Sequence, residues 1–188
     1  MDRVFAKEKT GMKRLICLAV ICLVAPLVGQ AQDAANPLSD TVRKILADNA
    51  KNLVAGAEAM PADKYSFQPT PEIRMFGQVV AHIAMVNNNV CAMLFKPAPA
   101  MPEKIADTDP KDKLVAGLKA SMDYCEQAFS KLTDANLTEM IPAFGGRMMT
   151  RLGVALIVTN DLIDHYAGMA IYLRMNKLLP PTAMKKSM

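Results

Sequence analysis

Two histidines, His82 and His165, carry all the imidazole chemistry in the chain, and both interrupt apolar stripes. His82 falls on the run Met75, Val79, His82, Val86 and Met93, with Asn89 one heptad along. His165 falls on Val154, Val158, Asp161, His165, Gly168 and Tyr172. In that second stripe Asp161 and His165 stand at i and i+4, which stacks two side chains on one helical face about 6 Å apart at Cβ. An ionised carboxylate turned toward a core without a partner costs several kcal/mol, so Asp161 requires one. A divalent ion shared by His82, Asp161 and His165 would satisfy all three. A hydrogen-bonded core histidine beside an internal Asp–His ion pair fits the same spacing, and the residues alone leave both readings open.

Other polar residues nearby are weaker candidates. Asp164 and Asn160 are adjacent in sequence but turned by about 100° per residue, which puts them at the surface or outside the first ring of ligands. Asn89 and Tyr172 are placed to line a cavity beside the histidines. Arg74 could pair with Glu72 or cap a loop, and Asn87 and Asn88 are expected to face solvent or a neighbouring helix end. No Ser-His-Asp or Cys-His nucleophile follows from the spacing, and Cys125 reads as core filler.

These residues need helices to hold them. A helix-capping residue followed by proline, a helix-start device, occurs three times: Asn36-Pro37, Thr70-Pro71-Glu72 and Asp109-Pro110. The first predicted helix covers 37–59, with Leu38, Val42, Ile45, Leu46, Leu53 and Ala57 on its apolar face. The second covers 71–95 and the third 110–131, the latter with Leu114, Leu118, Met122, Cys125 and Phe129 at core spacing. The fourth covers 150–176, and Pro180-Pro181 bars its continuation. Between the last two helices, 136–149 holds Pro142 and Gly145-Gly146 and reads as a loop or short irregular arm. The turn Phe144-Gly145-Gly146-Arg147 is placed to lie over the mouth of the cavity. Strand patterns are absent, so the expectation is an all-α four-helix bundle over 32–181 with a frayed polar tail at 182–188. The connections 59–71 and 95–110 are long enough to cross a bundle end, so simple up-down order is not required.

The N-terminus differs from the rest. Arg3, Lys7, Lys9, Lys13 and Arg14 precede the uncharged run 15–29, LICLAVICLVAPLVG, and Gly29-Gln30-Ala31 offers small residues for cleavage after Ala31. Those are the three parts of a secretory signal peptide at 1–31, with Met12 a workable alternative start. Fifteen apolar residues broken by Pro26 fall short of the roughly 20 a membrane span needs. Neither Cys17 nor Cys22 sits in a lipoprotein cleavage context. Cleavage removes five of 22 basic and two of 18 acidic residues, leaving 17 against 16 and a net of +1 in place of +4. No basic face then remains to bind nucleic acid. The expected location is the periplasm or the medium. Only Cys91 and Cys125 persist. An oxidising compartment permits their disulfide, but the helix register puts them at different heights and predicts two buried thiols. The 15 methionines are scattered rather than clustered, which suits core packing better than copper handling.

Two strings about a hundred residues apart resemble the DinB family of bacterial helical bundles. Residues 65–84, YSFQPTPEIRMFGQVVAHIA, resemble its proline-rich entry to helix two, ending in a histidine. Residues 164–181, DHYAGMAIYLRMNKLLPP, resemble the end of its last helix, often of the form YLRMNGIVPP. The resemblance covers 37–181. It implies three metal-binding histidines, one on helix two and an H-x-x-x-H pair on helix four. The first maps onto His82 and the last onto His165, while Asp161 stands where a histidine is expected. Two His and one carboxylate remain a workable set for Fe(II), Mn or Zn, with Ni a further candidate. Related branches include thiol-dependent transferases and isomerases. Export argues against cytosolic thiols, so a metal-dependent hydrolase or transferase acting on an unidentified small molecule is expected. A non-catalytic bundle is the alternative, in which the His/Asp cluster is a buried polar network. A homodimer is left open.

Overall fold

A computed structural model describes residues 36–184. The segment 1–31, for which a signal peptide is expected, lies outside the described residues, as do 32–35 and 185–188. Helix α1 spans Pro37–Ala59, α2 Phe76–Leu94, α3 Lys111–Phe129 and α4 Arg151–Met175. Helix α2 packs on α3 and α4, and α1 packs on α4 and α3. Consecutive helices α1 and α2 are therefore diagonal in the bundle, as are α3 and α4, and the connections 60–75 and 130–150 cross its ends. Helices α2 and α3 run parallel, Gly77 facing Leu114 and Cys91 facing Cys125, so the connection 95–110 returns along α2. The four helices close on a core that includes Leu46, Leu53, Phe76, Ile83, Leu118 and Leu162. None of the described helices is long and apolar enough to cross a membrane.

Helix α1 begins where the Asn36-Pro37 pair predicts, but its cap comes from elsewhere. The Asp134 carboxylate, 95 residues away, accepts from Ser39 N at 2.8 Å, Ser39 Oγ at 3.0 Å and Leu38 N at 3.2 Å. Asn36 Oδ1 in turn accepts from Asp134 N. A carboxylate there satisfies orphan N–H groups and meets the positive end of the helix dipole. Leu38, counted into the apolar stripe, is 59 % exposed.

Helix α2 starts five residues later than predicted. Pro71 sits in a turn closed by Ile73 N on Thr70 O, and the chain 65–67 folds back to cap the helix instead. Phe67 O accepts from Phe76 N and Tyr65 O from Gly77 N, while Gln78 Oε1 accepts from Met75 N. The close approach at Gly77 leaves little room, since a Cβ there would meet Tyr65 and Leu114 at 3.2–3.3 Å. Before α3, Pro110 is itself the capping position, because the Asp109 side chain is occupied by Ala106 N at 2.8 Å.

The segment expected to be a loop without strands contains a short antiparallel hairpin. Strands β1 (Met140–Pro142) and β2 (Met148–Thr150) pair Ile141 with Met149. Gly145 and Gly146 turn the chain at φ 63° and 79°, a conformation glycine adopts without strain. Arg151, only 7 % exposed, bonds the hairpin to the bundle. It donates to Leu94 O at the end of α2, pairs with Glu139 at 2.5 Å and lies over the Phe95 ring at 4.1 Å.

Two further expectations change. Cys91 and Cys125 form a disulfide between α2 and α3, with Cα atoms 5.3 Å apart. The two helices lie side by side, which brings to one level residues that separate stripes could not align. The tail leaves the bundle later than predicted: Thr182 N and Oγ1 both bond Tyr166 OH, at 3.0 and 2.9 Å.

Candidate metal centre

The α2–α4 seam brings His82 and His165 face to face. Their ring centres are 5.2 Å apart and the planes cross at 76°. One turn earlier on α4, Asp161 Oδ2 lies 3.5 Å from His165 Nε2. That separation is within reach of an ion pair but long for a hydrogen bond, and Oδ2 is buried with no hydrogen-bond partner. His165 is the more enclosed of the pair, its side chain 18 % exposed. All three candidates therefore share one seam.

These distances can be tested against a bound ion. Tetrahedral bonds of about 2.0–2.1 Å put ligand atoms about 3.4 Å apart, and the centres of two imidazoles on such an ion about 5 Å apart. The Asp161–His165 and His82–His165 separations both match. The three-way arrangement is incomplete, however: among the described residues no group of three or more His, Cys, Asp or Glu side chains is arranged to hold a metal. The buried, unpartnered Asp161 oxygen is the feature a cation would satisfy.

Electrostatics favour a neutral ring at His82. Burial, then the Arg74 guanidinium, then His165 push its pKa below the ordinary histidine value, and Asp161 only partly opposes them. A neutral imidazole has a free lone pair at neutral pH.

Two hollows flank the seam, and His82 and Arg74 line both. The first, about 750 Å³, is bounded by Val79, His165, Gly168 and Tyr172. Tyr172 contributes its ring, packed against Phe76 and Phe67, while its hydroxyl donates to Arg74 O at 2.6 Å. It thereby fixes the backbone that carries the arginine. Asp164 is exposed on the same rim and Asn160 faces solvent, as their angular offset predicts. The second hollow, about 780 Å³, runs between α2 and the chain 101–107, with Asn89 and Asn88 along one side.

Some placements differ from expectation. Asn87 is buried, and its Nδ2 donates to Ser121 Oγ at 3.2 Å in the α2–α3 interface. The Phe144–Arg147 turn lines neither hollow; it belongs to the hairpin at the start of α4. Arg74, read from sequence as structural, lies on the divide between the hollows. No local signal singled it out, because Glu72 two residues earlier offers an ordinary partner.

The model of the DinB superfamily matches residues 45–169. A DinB-like protein from Bacillus cereus has a similar structure, with a TM-score of 0.65 at 17 % identity, covering 76 % of this chain and 95 % of that one. A second, from Bacillus subtilis, gives 0.62 at 16 % identity, covering 77 % and 99 %. At such identities the likeness speaks for the fold. None of the curated proteins matches.

Proposed function

The chain belongs to the DinB superfamily, and on that footing we propose that it is an exported protein holding one divalent ion on His82, Asp161 and His165 and acting as a hydrolase or transferase on a small molecule. The observation that carries this reading is the buried Asp161 Oδ2, without a hydrogen-bond partner and 3.5 Å from His165 Nε2. A cation is the partner that satisfies a carboxylate and two imidazole nitrogens at once. When bound, Zn, Ni, Mn or Fe(II) supplies Lewis acidity that polarises a ligand's carbonyl or phosphoryl oxygen.

The chain's own groups do the rest. His82 and His165 offer ring nitrogens from two helices, so ligand placement follows the α2–α4 packing. Asp161 brings the negative charge that an all-histidine set lacks. Tyr172 holds Arg74 at the rim, where its guanidinium can meet an anionic part of a substrate. The Cys91–Cys125 disulfide supports export, since such bonds persist in oxidising compartments.

A non-catalytic bundle is the second reading. It is favoured by the incomplete three-way arrangement and by the edge-to-face contact through which the two imidazoles already pack. Thermal melting after chelator treatment separates the two. Adding Zn(II) at 100 times its dissociation constant stabilises a real site by about 2.7 kcal/mol, and His82→Ala abolishes that gain. An unmoved transition with every candidate ion supports the polar network instead.

A further inference from the structure

We infer that the first hollow binds a small carboxylic acid with an apolar body, its carboxylate on Arg74 and its body over Gly168. The acid is the substrate class of the proposed site, and the proposed function is needed only to place its reacting end beside His82 and His165, which share this wall. Among the described residues the Arg74 guanidinium makes no hydrogen bond or ion pair, although it borders the hollow. Its main chain is fixed, since Arg74 O accepts from the Tyr172 hydroxyl at 2.6 Å. An unpaired guanidinium on a fixed backbone offers its planar fork to the two oxygens of a carboxylate.

The floor of the hollow points to the same ligand independently. Gly168, one turn beyond His165 in the interior of α4, lines it, and a Cβ added there would meet nothing within 4 Å. Glycine inside a helix is disfavoured relative to alanine, and no neighbouring side chain needs the space. The bare backbone is a cradle for a group that is not part of the chain. Val79, Ile171 and the Tyr172 ring border it, which suits an apolar body. From His165 to Tyr172 the floor runs for seven residues, about 10 Å. The volume of about 750 Å³ is within the roughly 300–1,000 Å³ of small-molecule sites.

The rim selects a carboxylate over a phosphate. Apart from the histidines, Arg74 is the one cationic side chain in this wall. Glu72 and Asp164 border it too, and neither pairs with Arg74; the Glu72 carboxylate is engaged by the Thr70 hydroxyl. The first N–H groups of α2 are taken by Phe67 O and Tyr65 O. A dianion would therefore meet two carboxylates, one guanidinium and no free helix end. A monoanion needs only the fork.

The test is calorimetric titration of the purified chain, in the presence of chelator, with 4-phenylbutyrate, its primary amide and phenyl phosphate. Saturable binding of the acid is expected, weaker by about tenfold for the amide and weaker also for the phosphate. Arg74→Gln should bring the acid down to the affinity of the amide, while Arg74→Lys, which keeps the charge but not the fork, restores part of it. Gly168→Leu should abolish binding while the melting temperature holds or rises, because leucine is the better helix former. Absence of saturable binding, equal affinity for acid and amide, tighter binding of the phosphate, or full binding by Gly168→Leu overturns the inference. If Gly168→Leu melts below the unsubstituted chain, Arg74→Gln and the three ligands decide alone. Because the titration excludes metal, it succeeds or fails independently of metal content, so failure here and failure of the metal reading are distinguishable.

Discussion

A carboxylate oxygen that is buried without a hydrogen bond responds to substitution according to what shares its site. If a cation balances Asp161, Asp161→Asn removes the charged ligand while preserving shape. Metal affinity should then fall at least tenfold, measured by chelator competition, while the metal-free chain melts no lower than before. A lower melting point in the metal-free variant would instead mark Asp161 as part of a stabilising ion pair with His165. Arg151 makes the opposite kind of prediction. Its guanidinium fills the Leu94 carbonyl, a Glu139 pair and the Phe95 face, so Arg151→Ala should destabilise by about 2–4 kcal/mol in urea unfolding without changing metal content. The metal candidates were legible in the sequence because a histidine on an apolar stripe and an i, i+4 pair are local signals. Arg74 and Asn88 were not, since their surroundings come from the chain 96–110 laid along α2. Asn87 was misplaced for the same reason: within Asn87-Asn88-Asn89 only the position of α3 decides which one is buried.

Among the elements, the helix ends give the sharpest contrasts between sequence and structure. Helix α4 closes in a Schellman turn, with Leu178 N on Leu173 O and Lys177 N on Arg174 O at 2.9 Å each. Lys177 occupies the left-handed position at φ 61°, where glycine is unstrained. Lys177→Gly should therefore stabilise the chain by about 1 kcal/mol in denaturant unfolding. At the other extreme, α1 depends on Asp134. Burial alone would raise that carboxyl, but the Ser39 and Leu38 N–H groups, the Ser39 hydroxyl and Arg43 together hold it below the ordinary aspartate value. The unfolded chain then binds the proton more readily. The stabilisation is complete above the unfolded pKa, about 3.9, and is lost as pH falls through the lower folded value. Asp134→Asn should flatten the stability–pH curve in that acid window, while an unchanged slope would remove Asp134 from the account. Proline marked the start of α1 correctly because nothing competes there. At Pro71 the backbone carbonyls of Tyr65 and Phe67 take over the capping, a contact between segments that local propensity does not encode.

Over the whole molecule, four apolar periodicities were enough to specify a four-helix bundle, and the matched structures have the same fold. Which helices are neighbours was not legible, because each stripe states what it buries but not against which partner. The disulfide follows from that pairing. Closing a loop of 34 residues, it should contribute roughly 3–4 kcal/mol by restricting the unfolded chain. Reductant, or Cys91→Ala with Cys125→Ala, should lower the melting temperature by roughly 10 °C. Free thiols in the untreated protein would contradict the bond and weaken the case for export.

Elemental analysis of the chain, purified without a polyhistidine tag and alongside His82→Ala and His165→Ala, tests the central claim most directly. The expected result is about one Zn, Ni, Mn or Fe per chain, lost in both variants while circular dichroism reports intact helices. A wild-type protein without metal, and without a thermal shift on adding any of the four ions, would contradict it and leave the seam as a buried polar network in a helical scaffold.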